Sequence, residues 1–183
     1  MLDNYNRDIN YLRVSVTDRC NLRCRYCMPE EGVGNLGHYI ILSLEDLARL
    51  IKIATTIGIR KIRLTGGEPL VRKNIGQLVH YISSIPEIDD IALTTNGILY
   101  PPMARELKDS GLNRVNLSLD TLSDERYRFI TRRGELKDAL KAIFTALEMD
   151  MHPVKINTVI IRGFNDGEIM DFARMAYEYP LHI

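Results

Sequence analysis

Short β-branched runs recur at residues 12–17, 61–65, 88–95, 114–119 and 154–161, and helix-period segments separate them. Strand then helix, five times over, leaves few topologies open. It calls for an α/β fold with a parallel sheet whose strands are joined by right-handed crossovers. The punctuation between runs agrees. Ser43 with Asp46 reads as a capping box, Leu44, Leu47, Leu50, Ile51 and Ala54 follow at helical spacing, and Gly58 stops the helix. Asn74 stands where it could cap a helix over 75–84, which Pro86 ends. Pro101 and Pro102 open a further helix, and Gly111 closes it. Residues 135–149 carry Leu136, Ala139, Leu140, Ile143, Phe144 and Leu147 on one face. Asn165 with Glu168 reads as a second capping box, ahead of a helix reaching about residue 178.

Side-chain alternation distinguishes the two faces of that sheet. Arg13, Ser15 and Thr17 share one face of the first strand, and Lys61, Arg63 and Thr65 one face of the second. The corresponding sets are Ala92, Thr94 and Asn96, then Asn116, Ser118 and Asp120, then Lys155 and Asn157. The opposite faces are Leu, Ile and Val, as a layer of helices requires. A sheet that is apolar under its helices and polar on the other side in every strand is curled around a ligand. The expected fold is a partial parallel (βα) barrel of about five units, with its reactive rim at the carboxyl ends of the strands. The chain stops at residues 179–183, where a sixth strand is expected to begin. Arg13, Lys61, Arg63 and Lys155 put cations on the inner face, and such a gathering suits a polyanion such as a nucleoside triphosphate.

At 183 residues and 45% hydrophobic content the chain fits one domain, residues 1–183. Lys plus Arg is 24 and Asp plus Glu is 24, so no global field draws it to nucleic acid or an anionic membrane. No apolar run approaches the roughly 18 residues of a spanning helix. No leader-like segment points to an oxidising compartment, so a reduced, cytoplasmic enzyme is expected.

The chemistry is carried by Cys20, Cys24 and Cys27, the only cysteines, spaced CxxxCxxC. Three thiolates hold three irons of a cubane cluster, whereas a complete protein ligand set has four. The open iron is what a reactive cluster needs. A structural zinc site would need a fourth ligand from His38, His80, His152 or His182, none at a ligand-like spacing. A disulfide would strand one thiol. A second signal is Thr65-Gly66-Gly67-Glu68-Pro69, directly after the second strand. Its glycines allow close backbone approach to a ligand, and its carboxylate could accept from an ammonium group.

Together these motifs resemble the radical S-adenosylmethionine superfamily, and within it the GTP 3',8-cyclases (molybdenum cofactor biosynthesis protein A). The resemblance runs through Leu12–Cys20, Tyr26-Cys27-Met28-Pro29, Lys61–Pro69, Leu93–Gly97, Asn116–Asp120 and Val154–Asn157. Asn6 stands where the family tends to have glycine, and asparagine also tolerates positive φ. The resemblance implies a [4Fe-4S] cluster on Cys20, Cys24 and Cys27, with S-adenosylmethionine chelating the open iron. By the same resemblance, reductive cleavage leaves a 5'-deoxyadenosyl radical that abstracts hydrogen from the ribose of GTP and so starts its cyclisation in molybdopterin biosynthesis. Tyr26, Gly67 and Ser118 are implied as S-adenosylmethionine contacts. Arg13, Arg63, Thr94 and Lys155 are implied as substrate contacts, with Lys61 a further phosphate ligand. A one-electron reductant is an implied partner, and a homodimer is left open.

Family members continue well beyond this length, with a second cysteine trio and a Gly-Gly tail. The expectation is therefore an incomplete radical domain without the second-cluster domain, either a fragment or a natural short protein. Two other readings stay open: a peptide-modifying radical enzyme, and a noncatalytic iron–sulfur or nucleotide-binding remnant.

Overall fold

The computed structural model describes residues 2–34 and 41–183, so His38 lies outside the described residues. Six parallel strands lie in sequential order: β1 (Tyr11–Ser15), β2 (Lys61–Thr65), β3 (Asp90–Thr95), β4 (Arg114–Ser118), β5 (Val154–Asn157) and β6 (Leu181–His182). Between them run α1 (Leu44–Thr55), α2 (Ile75–Ser83), α3 (Tyr100–Asp109), α4 (Asp124–Thr131), α5 (Leu136–Glu148) and α6 (Ile169–Glu178). Sequential order with a helix in every later crossover produces the arc of an open barrel. The arc goes one strand further than expected. Leu181 pairs with Val154 and His182 with Lys155, so the sixth strand has begun within this chain.

One core explains the apolar half of the alternation. Ile62, Leu64, Leu93, Val115, Leu117 and Ile156 are buried together with helix residues such as Leu47, Ile51, Leu78, Ile82, Leu107 and Ile143. Every second strand residue thus packs beneath the helices, and its neighbours are left for the inner face.

One capping expectation holds and two change. Ser43 does cap α1, accepting from the Asp46 amide at 3.0 Å. Asn74 precedes α2 in the left-handed conformation (φ 59°) and makes no side-chain cap. Asn165 and Glu168 form no capping box, because both side chains are recruited by other elements. Asn165 donates to the carbonyls of Asp120 (2.5 Å) and Val159 (2.8 Å). Glu168 accepts from the Thr121 hydroxyl (2.7 Å), the Leu122 amide (2.5 Å) and Arg126 (2.6 Å). A buried carboxylate gains more from three tertiary donors than from one local cap. Sequence reading also passed over α4. Its signal was legible: Ser123 accepts from the Arg126 amide, and Asp124 and Glu125 fill the first turn.

Candidate functional site

The cysteine run leaves β1 at the carboxyl end of the sheet and lies against the end of α4. The main-chain amides of Arg23 and Arg25 donate to the carbonyls of Thr131 (3.1 Å) and Ile130 (2.9 Å). Arg25 Nε donates to the Phe129 carbonyl at 2.8 Å, with its guanidinium 4.0 Å from the centre of the Phe129 ring. Arg132 donates to the carbonyls of Arg23 (2.8 Å) and Met28 (3.2 Å). The last-turn carbonyls of a helix need donors, and here the cysteine loop supplies them. The missed helix therefore holds the cysteine loop.

The GGEP turn holds the other side. The Gly67 amide donates to the Thr17 carbonyl (2.8 Å), and the Glu68 amide to the Arg19 carbonyl (2.7 Å), one residue before Cys20. Glu68 is 1% exposed. Its oxygens accept from the Leu70 amide (3.1 Å), the Thr95 hydroxyl (2.7 Å) and the Asn96 amide (2.7 Å). It is therefore a post inside the protein and not the rim acceptor that the motif suggested. Burial pushes its acid strength down, against those donors. Asn96 passes the connection on, donating to Asn21 Oδ1 at 2.8 Å, with Cys20 Sγ 3.9 Å away.

Cys20 and Cys24 are half-buried, and Cys27 is exposed. Burial raises the Cys20 thiol, and burial with the nearby Cys20, Asp120 and Cys27 pushes Cys24 up to about 12. Without a cation these thiols repel one another's ionisation. A bound metal reverses that, since its own charge deprotonates coordinating thiols. The donor set thus fits a cationic iron cluster. Among the described residues no three His, Cys, Asp or Glu side chains are drawn tightly around one point. A cluster places each thiolate on a different iron and asks for wider spacing than a single ion.

Tyr26, between Cys24 and Cys27, donates to Asp120 Oδ2 at 2.6 Å, and Asp120 Oδ1 accepts from the Val159 amide at 2.9 Å. Burial and the Asp120 bond keep the Tyr26 phenol protonated. Ser118 ends β4 in register with Asn157, and Gly67 lies on the turn that follows β2, at the same end of the sheet. Tyr26, Gly67 and Ser118 therefore sit around the same rim as the thiols.

The predicted substrate residues lie below that rim on the inner face. Arg13 is opposite Arg63, and Asn116 lies opposite both Thr94 and Lys155. Lys61 shares the face but begins its strand, opposite Tyr11 and Asp90, at the end away from the cysteines. Arg13 and Lys61 are exposed, while Arg63, Thr94 and Lys155 are half-buried. Sequence reading missed a further inward cation, Arg114. It is opposite Ala92 and binds Asp90 through Nε at 2.9 Å and through a second guanidinium nitrogen. Among the described residues Arg13, Lys61, Arg63 and Lys155 form no ion pair.

The Radical SAM superfamily model matches residues 14–176. A GTP 3',8-cyclase from Syntrophomonas wolfei is 66% identical over all of this chain and 56% of its own length. Another, from Desulforamulus reducens, is 60% identical over the same shares. The chain thus spans about half the length of the curated relatives it matches. Among solved structures, Streptococcus suis SuiB bound to precursor peptide SuiA superposes with a TM-score of 0.73 at 19% identity, over 92% of this chain and 37% of that one. Methylornithine synthase (PylB) gives 0.68 at 17% identity, over 93% and 50%. At such identities the likeness is one of fold.

Proposed function

This chain belongs to the radical S-adenosylmethionine superfamily, and on that premise we propose that it is the cofactor-cleaving part of a GTP 3',8-cyclase. The single observation that carries the substrate is the inner face. Arg13, Lys61, Arg63 and Lys155 share it without an ion-pair partner among the described residues, while the one inward cation with a carboxylate, Arg114, is neutralised. Cations left unpaired under a metal-binding rim suit a triphosphate. The names of relatives at 66% and 60% identity support the same reading.

When bound, the [4Fe-4S] cluster and S-adenosylmethionine supply one-electron cleavage and a hydrogen-abstracting species. The chain's own residues hold and orient. Cys20, Cys24 and Cys27 would hold the cluster through three of its irons. Tyr26, Gly67 and Ser118 line the place for S-adenosylmethionine, and Tyr26 is fixed there by Asp120. Arg13, Arg63, Thr94 and Lys155, with Lys61, hold GTP so that its ribose faces the rim. A one-electron reductant in the cytoplasm would be the partner that supplies the electron. Residues 1–183 make up the radical domain, and full turnover draws on a further domain that supplies a second cluster.

Anaerobic reconstitution with iron and sulfide tests this. About one four-iron cluster per chain is expected from the three-thiolate count, abolished by Cys24→Ala. Reduced with dithionite, the loaded chain should release 5'-deoxyadenosine, with cyclised GTP absent or barely detectable. Stoichiometric zinc that survives reconstitution, or no 5'-deoxyadenosine, would overturn the cofactor reading. Robust cyclisation by these 183 residues would overturn the need for a second domain.

A further inference from the structure

Six buried side-chain polar atoms among the described residues have no hydrogen-bond partner. Of these, Tyr11 Oη, Arg63 Nε and Thr94 Oγ1 belong to one face of the adjacent strands β1, β2 and β3. A buried polar atom left unsatisfied costs about 1–3 kcal/mol, so orphans gathered on one face point to a ligand that satisfies them. Arg63 and Thr94 already belong to the proposed GTP site. Tyr11 does not, and no reading of the sequence had singled it out.

Tyr11 begins β1, opposite Lys61 in register, and Lys61 is opposite Asp90. The Arg63 guanidinium carbon lies 5.2 Å from the centre of the Tyr11 ring, which fixes the ring on the inner side. Asp90 is occupied by Arg114. The Tyr11 hydroxyl is thus a free donor among cations at the floor of the arc. Extending the β2–β3 register by one residue puts Thr94 in the row of Thr65 and Ser15, four residues above Tyr11 on the strand, or about 13 Å at the rise of a parallel strand. A nucleotide with its ribose at the rim directs its phosphate chain down past Thr94 and Arg63 toward that floor.

We propose that Tyr11 is a substrate-binding residue whose hydroxyl donates to the far end of the phosphate chain and so selects a nucleoside triphosphate over shorter nucleotides. The assignment rests on the GTP reading above. Calorimetric titration of the cluster-loaded chain and its Tyr11→Phe variant with GTP, GMP and guanosine tests it, together with thermal melts of both without nucleotide. Tyr11→Phe should bind GTP about tenfold more weakly, the worth of one hydrogen bond to a charged acceptor. GMP and guanosine should be unchanged. The variant should melt no lower than the parent, because the lost hydroxyl had no partner. If the parent binds all three ligands equally, the triphosphate reading falls and the assignment with it. If the parent prefers GTP and the variant keeps the whole preference, only the Tyr11 assignment is overturned. A lower melting temperature for the ligand-free variant would also overturn it, by revealing a structural bond.

Discussion

Gly67 shows how tightly single positions constrain the rim. A Cβ there would lie 2.3 Å from the Arg19 carbonyl oxygen and 2.7 Å from that of Asp18. Both are main-chain atoms leading into Cys20, so the loop itself would have to move. Gly67→Ala is expected to destabilise by about 1–3 kcal/mol, the range for overpacking, and to lower iron retained after reconstitution. Thermal unfolding and iron content measure the two effects. Unchanged values for both would mean that the turn and the cysteine loop are not coupled. Lys155→Ala is a contrasting case. Lys155 is half-buried on the inner face and makes no ion pair among the described residues. The substitution should weaken GTP by about tenfold and leave guanosine and iron content alone.

The element that matters most for the site is α4, which holds the cysteine loop at its end and is tied down at its start. The tie is Glu168, 7% exposed, which receives Thr121, Leu122 and Arg126. Burial alone would raise its pKa, but these donors outweigh burial and hold it below the ordinary glutamate value of 4.5. A lowered carboxylate pKa contributes stability that is present above about pH 4.5 and is lost as pH falls through the folded-state value. Glu168→Gln should therefore cost about 1–3 kcal/mol near neutrality, toward the low end because Arg126 is 46% exposed. The gap from the parent should narrow below about pH 4.5. Denaturant melts across the acid range read both, and a gap independent of pH would remove the charge from the argument.

At the scale of the molecule, net charge is zero, yet the inner face is locally cationic. Long-range attraction of nucleotides should thus be modest, and binding should rest on short-range contacts inside the arc. Raising salt from low to about physiological ionic strength, where the screening length is about 8 Å, should weaken GTP measurably and guanosine hardly at all. Titrations at two salt concentrations check this, and an equal response would argue against a site built from cations. The apolar layer is a single cluster running from Val16 to Leu181, so the arc has one core to support all its strands.

What the sequence determined by itself was whatever a period or a spacing encodes. The strand at 61–65, the strand at 114–118 to within one residue, the apolar and polar faces, the cysteine trio and the GGEP turn were all legible, because alternation and ligand spacing are local. Only the tertiary structure decided the uses of side chains with more than one possible partner. Asn165 and Glu168 carried the signature of a cap and became tertiary ties, and Glu68 was drawn inside by Thr95 and Asn96. Arg114 became an inward cation already paired with Asp90, and Tyr11 an inward hydroxyl without a partner. A hydrogen-bonding group takes the donors that the fold brings closest and shields from water, and those come from residues far away in the chain.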